Sequence, residues 1–328
     1  MSKISDDLAE MKKKLIEYVD KGRVIGFHET KKEPVIAVTP DKSKIKPLRK
    51  MKRCDVHFMA VDCSTRTLKR ANNWGIYLFR TAYALVRRRD VHWDYEERIH
   101  TVVGDAYVRR KISQGIRLNL ESEIALRLVR DAGESEYLLL DGASYFGGER
   151  KFWVELYEKC REEGVKLLTI SKQSPMLHDE KGRDLMAATY MLSPSYSTWI
   201  YYPVKPANIH EHQYGDVSMV KLSGESPRIF RCDIMKYLSN CEITELLSPL
   251  TFISEDPRCL GYPVTLWLAH DFSAPSDSKL LHYHDQVEET LASAGLLNVL
   301  RVEELSCNFP DELHGVKHPF QWERIEHV

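Results

Sequence analysis

The chain has 328 residues, enough for one large domain with elaborations or for two smaller ones. Its 47 basic and 48 acidic residues cancel, so no global field marks a nucleic-acid binder and any such contact must come from local patches. At 43% hydrophobic and 29% charged residues it reads as an ordinary soluble globular protein, with no apolar run near the ~20 residues that span a bilayer. The first residues lack a basic-then-apolar leader, and the seven cysteines form no CxxC pair. Reduced thiols in a cytoplasmic protein are the expectation.

Residues 5–20 carry a helical stripe of Leu8, Met11, Leu15 and Tyr18, with Ser5 as the expected cap. Lys12, Lys13 and Lys14 lie on or beside its polar side, as a solvated face or a DNA or partner contact. Residues 42–53 hold seven basic side chains and no acid, a second candidate phosphate contact. Residues 56–62 are an apolar run ending in Asp62, as expected for a strand buried on both faces. Residues 74–88 and 99–108 read as two more strands, and short connections make the three an antiparallel meander. A helix is expected over 114–131, stopped by Gly133. Glu121 shares the apolar stripe of Ile124, Ala125 and Leu128, whereas Glu123 points elsewhere. A carboxylate on a buried face is costly unless something compensates it.

Residues 137–141 are a second apolar run ending in an aspartate, Asp141. Reached through a helix, this strand can pair parallel to the first and create a topological switch point. Asp62 and Asp141 would then leave the sheet at one edge, where two anions repel unless a cation lies between them. A helix over 148–164 and a strand over 165–170 extend the parallel part, which puts Lys172 at the same edge. Downstream the pattern predicts a short helix over 182–192, strands over 198–204, 217–222 and 228–233, and helices over 232–247, 263–272 and 277–294. Residues 309–328 read as irregular. Three segments follow: a basic lead-in (1–53), an α/β core (54–195) and a C-terminal α+β elaboration (196–328).

Each strand-end aspartate alone is also ordinary turn chemistry. Together with an inward Glu121, they form the Asp–Glu–Asp set of a ribonuclease-H-like mixed sheet with helices on both faces. Such hard oxygen donors suit magnesium or manganese. Glu123 is the reserve for Glu121. His210 and His212 could share one face of a strand but lack a third ligand. His282 and His284 diverge on a helix and read as surface. Trp199, Tyr201 and Tyr202 could stack bases or fill a core. No Walker A loop or GxGxxG is present, which excludes the usual ATP and dinucleotide sites.

The order and spacing of these pieces resemble the NurA nucleases of archaeal and bacterial DNA-end processing. The similarity runs through Ala-Val-Asp-Cys-Ser at 60–64, the Glu121 helix, Leu-Leu-Asp-Gly-Ala-Ser at 139–144 and Ile-Ser-Lys at 170–172. It continues through the segments 219–222 and 229–233, then Gly-Tyr-Pro at 261–263 with Leu-Ala-His at 268–270. Cys63 stands where the family usually has glycine, and Val264 and Thr265 depart from its late motif. The resemblance implies manganese-dependent cleavage of single- and double-stranded DNA, 5′-to-3′ resection, and a homodimer docked on a HerA-type hexameric translocase. It also brings His270 forward as a metal ligand or proton relay, beside Asp62, Glu121 and Asp141 as ligands and Lys172 as a charge stabiliser. The competing expectation is the same fold with a decayed site, acting as a DNA-binding adaptor of the translocase.

Overall fold

Strands between Ile45 and Met235 join one mixed sheet. The computed structural model describes residues 3–21, 34–88, 90–133, 136–174, 176–193 and 197–313. In chain order the elements are α1 (Lys3–Lys21), β1 (Ile36–Ala37), β2 (Ile45–Pro47), β3 (Phe58–Arg70), β4 (Trp74–Arg87), β5 (Asp90–Val103), α2 (Ala106–Asp131) and β6 (Tyr137–Asp141). There follow α3 (Trp153–Glu162), β7 (Lys166–Ser171), β8 (Leu177–His178), α4 (Leu185–Leu192), β9 (Trp199–Lys205), β10 (Gly215–Lys221) and β11 (Phe230–Met235). Four helices complete the described chain: α5 (Ile243–Phe252), α6 (Val264–Ser273), α7 (Asp277–Ser293) and α8 (Leu297–Leu313).

The nine-stranded sheet runs β2-β9-β10-β11-β7-β6-β3-β4-β5. Within it, among the described residues, only β3–β6 and β6–β7 pair in parallel; β1 and β8 form a separate two-stranded parallel sheet. The meander is β3-β4-β5, and β6 lies on the other side of β3, so the expected switch point exists. Strands β6 and β7 are apolar because both faces are covered, and Tyr137 to Leu140 are all buried. On the meander, alternation sends neighbouring side chains to opposite faces. Glu96 and Arg98 meet Arg127 of α2 and Asp7 of α1, while Ser64 and Arg80 hydrogen-bond the carbonyls of Ser273 and Ala274 at the end of α6. Helices therefore cover both faces.

Pairing of β3 with β6 stops at Val61, whereas pairing with β4 continues to Arg70. From Asp62 onward one edge of β3 has no strand beside it among the described residues. That overhang opens the cleft described below.

Several expectations are corrected. Residues 232–247 are not one helix: β11 continues to Met235, a short 3₁₀ turn follows, and α5 starts only at Ile243, capped by the Glu242 side chain. The third meander strand lies earlier, at Asp90–Val103, because Asp105 caps α2 and pulls that helix forward to Ala106. Ser5 sits inside α1 and does not cap it. Trp199 and Tyr201 are core residues, so neither can stack a base. His210 lies inside a 3₁₀ turn and His212 caps its end, so the two do not share a strand face. His284 is buried, not at the surface, beneath Lys69 and Glu288. Residues 309–313 are helical; the remainder of the expected irregular tail, 314–328, lies outside the described residues.

Candidate active site

Asp62 lies where β3 passes the end of its parallel neighbour, and Asp141 is the last residue of that neighbour. Both line one cleft of about 570 Å³, together with Arg117, Lys172 and His270. Each side chain is delivered by a different element, and each delivery has a local cause.

Helix α2 presents Glu121 on its buried face, beside Leu118, Ile124 and Ala125. The Glu121 carboxylate accepts a hydrogen bond of 3.1 Å from the backbone N–H of Cys63, on the open edge of β3. The sheet thus holds helix and strand together at the cleft. Cys63 is itself buried, and burial pushes its thiol far up, which makes it a poor nucleophile. Arg117, one helical turn before Glu121, stands 3.4 Å from the same carboxylate. Burial raises the Glu121 pKa to about 8, against the pull of Arg117 and with the help of nearby Asp62.

Burial alone would also raise Asp62. The hydrogen bond from His270 and the positive charge of Arg117 outweigh it and leave Asp62 below its ordinary value. His270 Nδ1 is 2.7 Å from Asp62 Oδ2, and the imidazole is otherwise 61% exposed. The ring comes from the last turn of α6, which the sheet holds through Ser273 and Ala274. Lys172 follows β7 and reaches Asp141 at 3.0 Å. Its ammonium also lies 5.9 Å from the centre of the Tyr262 ring. The Tyr262 hydroxyl is buried with no hydrogen-bond partner among the described residues, and burial beside Asp141 and Asp62 raises its pKa well above the usual phenol range.

Asp62, Glu121, Asp141, Lys172 and His270 are therefore brought together. Glu123 is not: it is exposed and paired to Asn119 at 2.7 Å. Arg117 was missed in sequence because a basic residue one turn from an acid is ordinary helix-surface pairing. A basic lining was missed as well. Arg66 and Arg70 of β3 and Arg110 of α2 extend the cleft away from the acids. Their only sequence trace is the Arg-Arg-Lys triplet at 109–111.

The donors fit a hard divalent cation in chemistry, being all carboxylate oxygen and gathered from three elements. As placed, no group of three acidic, histidine or cysteine side chains among the described residues forms a ready cage. Arg117 and Lys172 compensate the acids instead. The orphaned Tyr262 hydroxyl marks a polar position at the same place with room for a further partner.

The sequence matches no protein-family model and no curated protein. Solved structures do match. The NurA nuclease from Sulfolobus solfataricus superposes with a TM-score of 0.59 at 15% identity, over 89% of this chain and 98% of that one. NurA with manganese gives 0.51 at 11% identity, over 88% and 97%. A further NurA structure gives 0.50 at 12% identity, over 79% and 91%. What the chain shares with these nucleases, across nearly all of their length, is their fold, a ribonuclease-H-like mixed sheet.

Proposed function

We propose that the chain is a metal-dependent nuclease that hydrolyses phosphodiester bonds in DNA. The observation that carries this is the convergence of Asp62 and Asp141 on one cleft that also holds Lys172, His270 and a row of arginines, with Glu121 of α2 buried directly behind it on the backbone N–H of Cys63. A phosphate backbone is drawn in by the basic lining and meets the acids where the strands end. Asp62, Glu121 and Asp141 would hold the ion or ions, manganese or alternatively magnesium. A divalent ion bound there supplies Lewis-acid chemistry, in a two-metal arrangement for both the attacking and the leaving oxygen.

The chain's own groups do the rest. The Asp62 contact fixes Nδ1 of His270 and leaves Nε2 turned outward, able to take or give a proton at the cleft surface. Lys172 places an ammonium where negative charge develops on a phosphoryl group. Arg117 orients Glu121 and offsets its charge. Carried further with the sequence resemblance, the reading is of a homodimeric nuclease for single-strand endonuclease and 5′-to-3′ exonuclease work. It would act in double-strand-break end resection beside a HerA-type translocase.

Labelled single-stranded DNA with manganese, and then with EDTA, tests it. Products that vanish on chelation are expected. Asp62→Asn keeps the shape and removes the charge, and should lower the rate by about a hundredfold or more with the fold intact. The paired acids Glu121 and Asp141 favour one other reading, a decayed site that binds DNA as an adaptor. Chelator-insensitive binding with no products would select it and refute the nuclease.

A further inference from the structure

The acidic cleft has a neighbour of opposite character. A second cavity, of about 620 Å³, lies in the size range of pockets for small organic groups. Lys172 lines both. The wall of the second includes Met186, Tyr190 and Met191 of α4, Ile229 just before β11 and Ser174 after β7, with Asp184 at the start of α4 as the acid among its lining residues. Helix α4 reads Leu-Met-Ala-Ala-Thr-Tyr-Met-Leu, eight residues without a charge. Leu185 and Thr189 suffice to dock it, yet Met191 is left 83% exposed at the cavity mouth. An uncharged helix turned partly to solvent calls for an apolar occupant. The Ser174 Oγ is buried and has no hydrogen-bond partner among the described residues, so the cavity also offers one unspent polar contact.

A polynucleotide has the matching alternation: an anionic backbone and flat, apolar-faced bases with polar edges. A phosphate held at Lys172 sits at Asp141, one of the acids of the proposed centre, because the ammonium is 3.0 Å from that carboxylate. The base of that nucleotide then faces the second cavity. We infer that the cavity under α4 is a nucleobase subsite for the nucleotide beside the scissile phosphate, with Tyr190 and the two methionines against the ring and Ser174 at its edge. A base seated there is outside any duplex, so the strand at the centre is single. The identity of the strand rests on the nuclease reading; the base-binding itself does not.

Fluorescence anisotropy in EDTA with short single-stranded oligonucleotides separates the two. Oligonucleotides carrying abasic residues throughout should bind at least about fivefold more weakly than intact ones, as expected for a lost stacking contact. Tyr190→Ala should lose that discrimination while Tyr190→Phe keeps it, with circular dichroism confirming both folds. With manganese, a single abasic residue should suppress cleavage in one register only. Equal binding of abasic and intact strands, or no binding, overturns the subsite. Discrimination without any cleavage retains the subsite and removes the nuclease.

Discussion

Two neighbouring carboxylates, Asp62 on the cleft wall and Glu121 buried behind it, are driven in opposite directions by their surroundings. Glu121 is buried under α2 with its pKa raised to about 8, and Asp62 is held below its ordinary value. Such a split is what acid-rich functional centres show, and it makes Glu121 a cost to the fold. Glu121→Gln should therefore leave the metal-free protein as stable as the wild type or more so, since the amide imitates the neutral acid. The same substitution should abolish any thermal shift on adding manganese and reduce DNA cleavage. Differential scanning fluorimetry with and without the ion reads both; a strongly destabilised variant would mean that the Arg117 contact makes Glu121 a net stabiliser. Lys172→Met isolates the other charge. It should lower the cleavage rate by about a hundredfold if the ammonium acts on the developing phosphoryl charge. A change in substrate affinity alone would reassign it to binding.

At the scale of elements, β3 does two jobs at its two ends. Its first residues are shielded by β6 and β4, and from Asp62 on it overhangs. A register shift between Thr67 and Lys69 then turns Lys69 inward, where it meets Glu288 of α7 and Glu304 of α8, both at 2.9 Å. Glu303 of α8 accepts from the Trp74 indole at 2.9 Å and from Tyr18 of α1 at 2.8 Å. Lys69→Met should cost about 3–5 kcal/mol in urea unfolding, because it strands two carboxylates of low exposure. Adding Glu288→Gln and Glu304→Gln should restore most of it; a silent single variant would show that the cluster carries no net weight. None of this cluster was visible in sequence, since its members are separated by over two hundred residues and a bulge breaks the alternation. The meander, β6, β7 and the inward phase of Glu121 were visible, because each follows from a local period. The boundary of β11 was not: Ile234 and Met235 are consecutive apolar residues that break the alternation of Phe230 to Ile234, yet both are buried in the strand. Asp141 and Lys172 were legible as strand-end residues; Asp62, expected to end its strand at 56–62, lies inside β3, which continues to Arg70, and Arg66, Arg70 and Arg110 acquire meaning only when β3 and α2 form opposite walls.

Across the whole molecule, the hydrophobic interior divides into a main cluster around β6, β7, α5 and α6, a second between the meander, α1 and α7, and a third on β9 and β10 beside α4. Two histidines lie near the helices around the second, His100 half-buried and His284 buried. His100 of β5 meets Phe79 edge-on, and its Nε2 has no hydrogen-bond partner among the described residues. His284 lies in α7 near Lys69. Burial lowers both below the ordinary 6.5, with Lys69 adding to the effect at His284. Below that value the unfolded chain binds protons that the folded one refuses, so stability rises with pH in this window. The contribution of the two neutral rings is complete above about 6.5, the unfolded value, and is lost as pH falls through the lower folded values. Because His100 neighbours the charged residues of α1 and His284 lies in α7, acid should loosen α1, α7 and the outer meander before it reaches the main core. Amide hydrogen exchange at pH 7.5 and 5.5 tests this: protection should fall first in α1 and α7 and persist in β6 and β7. The His100→Gln, His284→Gln double variant should flatten the pH slope of the melting temperature. Uniform loss of protection, or a slope unchanged in the double variant, would place the acid sensitivity elsewhere.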